Sequence, residues 1–393
     1  MRSACRQCLG LGLTLNGVSG LAQSRPATSP PAPEVDLSKR MERPPVDTDE
    51  GGLWALMDRE EARLRRSPLI VRDIDMGKHL QDMVCRLSGV HCPDVRVHVV
   101  RTPWFNASMA PNGMMQVWTG LLLRMENEAQ LAAVLGHELA HYLERHSIER
   151  LRDAKSRAGA AQFMALFGLV GALGQLGVMA GMYSFSREHE TRADRLGLQL
   201  SQKAGWSGHE APKVWDNLLQ EAKILGGDDV GKRSPMFATH PAMDDRQDTL
   251  RKHIVGEGDV NSQSYAKLIA RHRMGWIQDE IRRAQYDESL VLFNRMVNTR
   301  PDDHQALFGR AESRRLRAKE GDQALALTDL EQAARLHSDS APVVADIFRS
   351  LGLIHKDRRQ APQAIDAFER YLKLAPEAAD AGLMNHYISE LKT

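Results

Sequence analysis

Leu131, Val134, Leu135, Leu139 and Tyr142 recur at helical spacing, and Gly136 is the only Gly or Pro between Glu126 and Arg152. The pattern predicts one helix across that stretch. It is apolar around residues 136–141, so polar groups carried there are buried, which is costly unless they bind something. Residues 95–100 (Val-Arg-Val-His-Val-Val) alternate and are rich in β-branched side chains, predicting a strand, and Met114–Trp118 predicts a second. Between Ala158 and Ser186 there are 29 positions without a charge. That exceeds the ~20 apolar residues of a membrane-spanning helix, and Gly168, Gly171, Gly174, Gly177 and Gly181 give it faces that pack closely. The elements predict an α+β fold that is mostly helical, with a small sheet.

Inside the apolar helix stand His137, Glu138 and His141, an H-E-x-x-H motif. Residues i and i+4 share a face, so the two imidazoles can close on one Zn²⁺ with Glu138 beside the open coordination position. Zn²⁺ lowers the pKa of bound water toward ~7, and a carboxylate within reach takes its proton, which is zinc-peptidase chemistry. The motif also arises by chance in charged helices, so a third ligand must be found. The extended H-E-x-x-H-x-x-G-x-x-H form is excluded, because Glu144 and Ser147 occupy its Gly and last His positions. His146 lies off the metal face and reads as a solvated residue in a helix C-terminal turn. A Glu on a second helix is the other solution. Glu190 suits that role, and Asp194, one turn on, can accept the second ring N–H of a ligating His and fix its tautomer. His240-Pro241 presents an imidazole from an extended or turn segment, with Arg246 beyond. Two roles are open for His240, donor to a tetrahedral oxyanion or fourth zinc ligand in a resting state. Arg246 either orients it or stabilises developing negative charge.

In this order the segments resemble the gluzincins of the CAAX prenyl endopeptidase / HtpX-type zinc metallopeptidase family, from about Leu69 to Ile254. The resemblance is carried by Asn106-Ala107 with Pro111-Asn112-Gly113, Thr119-Gly120-Leu121-Leu122, the H-E-x-x-H helix, Glu190 with Asp194, and Thr239-His240-Pro241 with Arg246. It implies one Zn²⁺ per chain held by His137, His141 and Glu190, with Glu138 as general base and a cleft lined by Asn106 and Ala107. In the family's periplasmic members a His matching His240 is a regulatory ligand. Thr191 and Arg192 depart from the family's usual residues before Ala-Asp and leave the essential positions intact. CAAX activity itself is not carried over, since it belongs to multi-spanning members. An edge strand beside the zinc helix lets an extended chain pair through its main chain. The expected substrates are therefore unfolded or extended polypeptides, cut with loose specificity.

The length of 393 residues predicts two to three domains, and 52 basic against 51 acidic residues leave a net charge of +1. With no basic stripe carrying interleaved aromatics, nucleic acid is not an expected partner. Arg2 and Arg6 precede the apolar Leu9–Leu15 and the small residues of Gly20-Leu21-Ala22, the pattern of a secretory signal over 1–22. A Pro-rich flexible segment, 23–52, follows. Cys5-x-x-Cys8 precedes the apolar run and is not expected to bind metal. Export leaves Cys85 and Cys92, close enough in sequence to form a disulfide in an oxidising compartment.

The C-terminal third repeats. Gly352, Ala364, Phe368, Tyr371 and Pro376 fit a tetratricopeptide repeat; Ser289, Phe293, Met296 and Pro301 end an earlier copy, and Ala326, Leu330 and Ala333 mark a third. Trp276 and Ile277 are expected to start the first repeat helix and to pack as core. The expected organisation is a zinc metalloprotease domain over 53–255, a linker over 256–264 and an all-α repeat domain over 265–393. Residues 158–186 keep three readings: a lone membrane span, a segment capping the cleft and touching a membrane surface or substrate, or a buried helix pair. An exported zinc peptidase with such repeats resembles the family's periplasmic quality-control members. That implies action on outer-membrane proteins in the periplasm and contact with their assembly machinery. The rival expectation is a periplasmic assembly chaperone or scaffold with incidental proteolysis.

Overall fold

Short polar caps open several of the helices, each satisfying a backbone N–H that the first turn leaves free. Thr48 accepts from Gly51 at the start of α1 (Asp49–Leu64), and Asp73 from Met76 at the start of α2 (Ile74–Ser88). A 3₁₀ turn, Gly89–Asp94, follows α2, and a disulfide joins Cys85 to Cys92 across the junction. The computed structural model describes residues 39–157, 185–226, 234–241, 245–336 and 345–393. The readings made for residues 1–38, and for 158–186 apart from Phe185 and Ser186, lie outside them. Among the described residues no helix is long and apolar enough to cross a membrane.

The sheet has three strands, β1 (Arg96–Val100), β2 (Ala107–Met109) and β3 (Met114–Trp118), in the order β1-β3-β2. β1 runs parallel to β3 with Val97 opposite Met115, and β2 runs antiparallel with Ala107 opposite Val117. β2 is thus an edge strand. The turn joining it to β3 needs Gly113, whose φ is +88° and whose missing Cβ would sit 1.9 Å from the Asp94 carbonyl oxygen. β3 runs into α3 (Thr119–Arg124), and Asn127 caps α4 (Glu128–Leu143), every residue of which is buried.

The single helix expected over Glu126–Arg152 is instead two. α4 ends at Leu143, Arg145 takes a left-handed φ of 57°, and α5 (His146–Arg157) sets off in a new direction. Tertiary partners favour the break, since Glu144 is engaged by Arg192 and Arg145 by Glu50. Then come α6 (Arg187–Lys203), opened by a Ser186 capping box, α7 (Ala211–Gly226), α8 (Pro235–Thr239) and α9 (Arg246–Lys252).

The remaining helices are α10 (Ser262–Arg282), α11 (Tyr286–Thr299), α12 (His304–Arg317), α13 (Asp322–Leu336), α14 (Ala345–Asp357), α15 (Ala361–Leu374) and α16 (Ala381–Leu391). From α11 onward each packs on its predecessor. Phe293, Leu330 and Phe368 recur on α11, α13 and α15, all fully buried, and Gly309 and Gly352 make room for the Phe293 and Phe368 rings. Trp276 and Ile277 are core, as expected, but stand near the end of α10 rather than its start. The segment read as a linker is bonded in place: Ser207 N–H donates to Asp259 O and Asp259 N–H to Gly205 O. A buried ionic network adds a second tie. Arg124 of α3 donates to Glu221 of α7 and Glu280 of α10, and Arg283 donates to Glu280 and Glu288.

Candidate metal centre

α4 and α6 cross where each carries a glycine. A Cβ on Gly197 would lie 2.6 Å from His137 N, and one on Gly136 would lie 2.7 Å from Gly197 O. This approach brings His137 and His141 of α4 against Glu190 in the first turn of α6. His137 Nε2 lies 3.1 Å from His141 Nε2 and 3.5 Å from Glu190 Oε2, and His141 Nε2 lies 3.4 Å from Glu190 Oε1. His240, the residue after α8, completes the group. Its Nδ1 is 3.3 Å from His137 Nε2 and 3.0 Å from Glu190 Oε1.

These four residues form a buried group able to hold a metal ion, its donor atoms all within 4.8 Å of one another. The fit is geometric. A tetrahedral ion with ~2.0 Å bonds needs donor atoms ~3.3 Å apart, and the measured separations bracket that value. It is chemical as well, since three imidazole nitrogens and a carboxylate converge with none exposed by more than 2%. Burial by itself would raise the Glu190 carboxyl, but His240, His137 and His141 hold it well below the usual carboxylate range. Burial lowers His141 far beneath an ordinary imidazole. Burial opposes charge on His137 too, yet hydrogen bonds to Asp194 and Glu190 raise it overall.

Asp194 stands 2.9 Å from His137 Nδ1, and Arg246 of α9 donates to Asp194 over 2.6 Å. Arg246 is thereby placed behind His137, with its guanidinium 3.5 Å above the Trp215 ring. On the other side of the group Glu138 is buried, and burial lifts its carboxyl to about 7; Glu190 adds to the rise, while His240, Arg246 and the Met109 N–H work against it. Met109 belongs to the edge strand. Trp118 N–H donates to Asn106 O and Ala110 N–H to Met114 O. By the alternation of an antiparallel pair, Ala107 and Met109 turn their N–H and C=O groups to the outer edge. The Asn106 side-chain oxygen is buried without a hydrogen-bond partner among the described residues.

Of the sequence-predicted residues, His137, Glu138, His141, Glu190, Asp194, His240 and Arg246 gather around one centre. Ala107 lies on the edge strand and Asn106 just before it, and the link from that strand to the centre is the Met109 N–H to Glu138, with Cys85 and Cys92 elsewhere. Three further residues join that no motif announced. Phe185 stacks on His141 with centroids 3.9 Å apart, and Trp215 packs edge-on against His137 at 5.3 Å. The third is His146. It is not a solvated helix-end residue but fully buried, with its Nδ1 2.8 Å from His141 Nδ1. The left-handed turn at Arg145 folds it back beneath His141.

Residues 72–254 match peptidase family M48. The chain carries an M48 peptidase domain. The domain contains the whole donor group, and α10 to α16 lie beyond it. The chain is 26% identical over 241 residues to a putative beta-barrel assembly-enhancing protease of Vibrio cholerae, covering 56% of this chain and 48% of that protein. It is 26% identical over 201 residues to the beta-barrel assembly-enhancing protease of Escherichia coli K12, covering 47% and 40%. It is 32% identical over 162 residues to the mitochondrial metalloendopeptidase OMA1 of Schizosaccharomyces pombe, covering 40% and 46%. The chain spans about half the length of the curated relatives it matches, or less.

Proposed function

We propose that this chain is a zinc-dependent endopeptidase of the bacterial periplasm that hydrolyses misfolded or stalled envelope proteins. The observation that carries the reading is the convergence of His137, His141 and Glu190 beside a buried Glu138 and an edge strand with an outward-facing main chain. The nitrogen-rich donor set and its tetrahedral spacing favour Zn²⁺. When bound, that ion supplies a Lewis acid that polarises a carbonyl and makes water acidic.

The chain's own residues account for the rest. Ala107 offers N–H and C=O groups to an extended substrate, which adds alongside β2. Glu138, held near neutrality, takes a proton from water and returns one to the leaving amine. Asp194, braced by Arg246, fixes the His137 ring. His240, 3.0 Å from Glu190 and 3.5 Å from Glu138, occupies the corner that a catalytic site must vacate, which favours the resting-state ligand role over the oxyanion donor. The tetratricopeptide-like helices after residue 265 recruit substrate or outer-membrane assembly machinery. The names of the assembly-enhancing relatives support this assignment, and the expected signal segment supports the compartment.

The test uses casein as unfolded substrate. Glu138→Gln should lower cleavage by about 10²–10⁴-fold while Zn²⁺ still binds at one per chain. Cleavage at the parent rate would remove Glu138 from the mechanism. Survival of envelope function in the Gln variant would instead favour the scaffold reading.

A further inference from the structure

We propose that His146 is a positioning residue for the metal centre, fixing the tautomer and ring orientation of His141 as Asp194 does for His137. The inference rests on His137, His141 and Glu190 holding a metal. The two ring nitrogens that face each other, His141 Nδ1 and His146 Nδ1, are 2.8 Å apart, so one carries the proton and the other accepts it. His141 turns its Nε2 into the donor group, 3.1 Å from His137 Nε2 and 3.4 Å from Glu190 Oε1. A ligating nitrogen is unprotonated, so the His141 proton sits on Nδ1 and His146 Nδ1 accepts it. The remaining His146 proton is then on Nε2, which faces Glu144 Oε2 at 3.2 Å. Arg192 donates to the same Glu144 oxygen.

The result is a chain from His141 to His146 to Glu144 to Arg192. It parallels the shorter one from His137 to Asp194 to Arg246, and in both a carboxylate pinned by an arginine ends the series. His189 holds the inserted ring flat, stacking on it with centroids 4.5 Å apart and planes at 27°. Its own Nε2 lies 2.9 Å from Glu149 Oε2, and Arg192 Nη1 donates to that oxygen over 3.2 Å.

His146, Glu149 and His189 also lie close enough together to hold a cation of their own. Two observations weigh against that use. Both His146 nitrogens are already engaged, and the Arg192 guanidinium already supplies a positive charge to Glu149.

The experiment measures Zn²⁺ affinity of the full chain by chelator competition, alongside urea unfolding of the metal-free protein and the Co²⁺ absorption spectrum. His146→Leu removes the acceptor and should weaken Zn²⁺ binding by about 10–100-fold and shift the Co²⁺ bands. His146→Asn places an amide oxygen where Nδ1 stood and should recover most of the affinity. Both variants lose the stacked ring, so their metal-free stabilities should fall alike. Glu144→Gln keeps the His146 ring and an acceptor oxygen for Arg192, and guards against a Leu variant that does not fold; it should weaken Zn²⁺ by a smaller factor than His146→Leu, less than about 10-fold. Equal Zn²⁺ affinity in the Leu and Asn variants, or unchanged affinity in Glu144→Gln, overturns the proposal. So does a parent that binds two Zn²⁺ and loses one in both His146 variants. A parent that binds no Zn²⁺ would instead overturn the metal reading itself.

Discussion

Gly197→Ala is a sharp probe of how the helices that carry His137, His141 and Glu190 are held. The new Cβ would lie 2.6 Å from His137 N, 2.8 Å from Gly136 C and 2.8 Å from His137 Cα. All three are backbone atoms, so no side-chain rotation relieves the contact. Restoring ordinary van der Waals separation near ~3.5 Å requires α4 and α6 to part by about 1 Å. His137 is the residue struck, and Glu190 rides on the helix that moves, so the displacement passes directly into donor separations that now run from 3.0 to 3.5 Å. A misplacement of ~1 Å at a reacting centre costs on the order of 10²-fold in rate. Stability should change much less. Ala gains about 1 kcal/mol over Gly in a helix interior, against an overpacking cost of about 1–3 kcal/mol. The signature is a near-neutral to ~2 kcal/mol loss of metal-free stability in urea, with Zn²⁺ affinity and casein hydrolysis both falling by about 10²-fold. Gly77→Ala on α2 is the control, because a Cβ there meets nothing within 4 Å; it should stabilise by about 1 kcal/mol and leave the metal untouched. A Gly197→Ala protein that gains stability as the control does and binds Zn²⁺ like the parent would refute the reasoning.

Two further outcomes follow from the buried charges. Glu61 accepts from Arg96 at 2.6 and 2.8 Å and from Arg65 at 2.8 Å, with His98 Nε2 3.0 Å away. Burial alone would raise its carboxyl, but Arg96 and His98 hold it far below the usual range. A depressed carboxyl contributes stability above its unfolded pKa of ~4.3 that is lost as pH falls. Glu61→Gln should therefore cost about 2 kcal/mol at pH 7, and the difference between urea midpoints should close below about pH 4; a gap constant from pH 7 to pH 3 would exclude this role. Arg124→Met leaves Glu280 with Arg283 and Glu221 with Arg295, removing the cation they share, and should cost about 3–5 kcal/mol. Adding Glu280→Gln should recover part of that loss in thermal unfolding, and purely additive losses would mean that the residues do not act as a network.

Periodicity made α4 and the two longer strands legible, because an apolar helix and an alternating strand announce themselves within a few residues. The donor group was legible for a different reason. H-E-x-x-H and Glu190 with Asp194 each present an i, i+4 pair, and that spacing is a geometric statement before any fold is known. What escaped depended on position in space. Trp215 sits on α7 and reads as core from its neighbours, yet Arg246 stacks over its ring and its edge packs against His137. Phe185 lies next to the end of a long uncharged run whose hydropathy says nothing about a ring laid on His141.

His146 shows where pattern reasoning fails in principle. On an unbroken helix a residue five past His141 points away from the metal face. The break depends on Glu144 meeting Arg192 and Arg145 meeting Glu50, partners 48 and 95 residues distant. α6 carries the same lesson from the other side. Its charged residues look like a solvated face, yet Glu190 and Asp194 are buried, and Arg192 and His189 each pair with a carboxylate near the end of α4 or on α5. A charge on this helix acquires a role only through a partner on another element. Arg192 therefore has a physical reason to be there: it pins the two carboxylates beside the histidine pair, and changing it should disturb the His141 side of the centre before the His137 side.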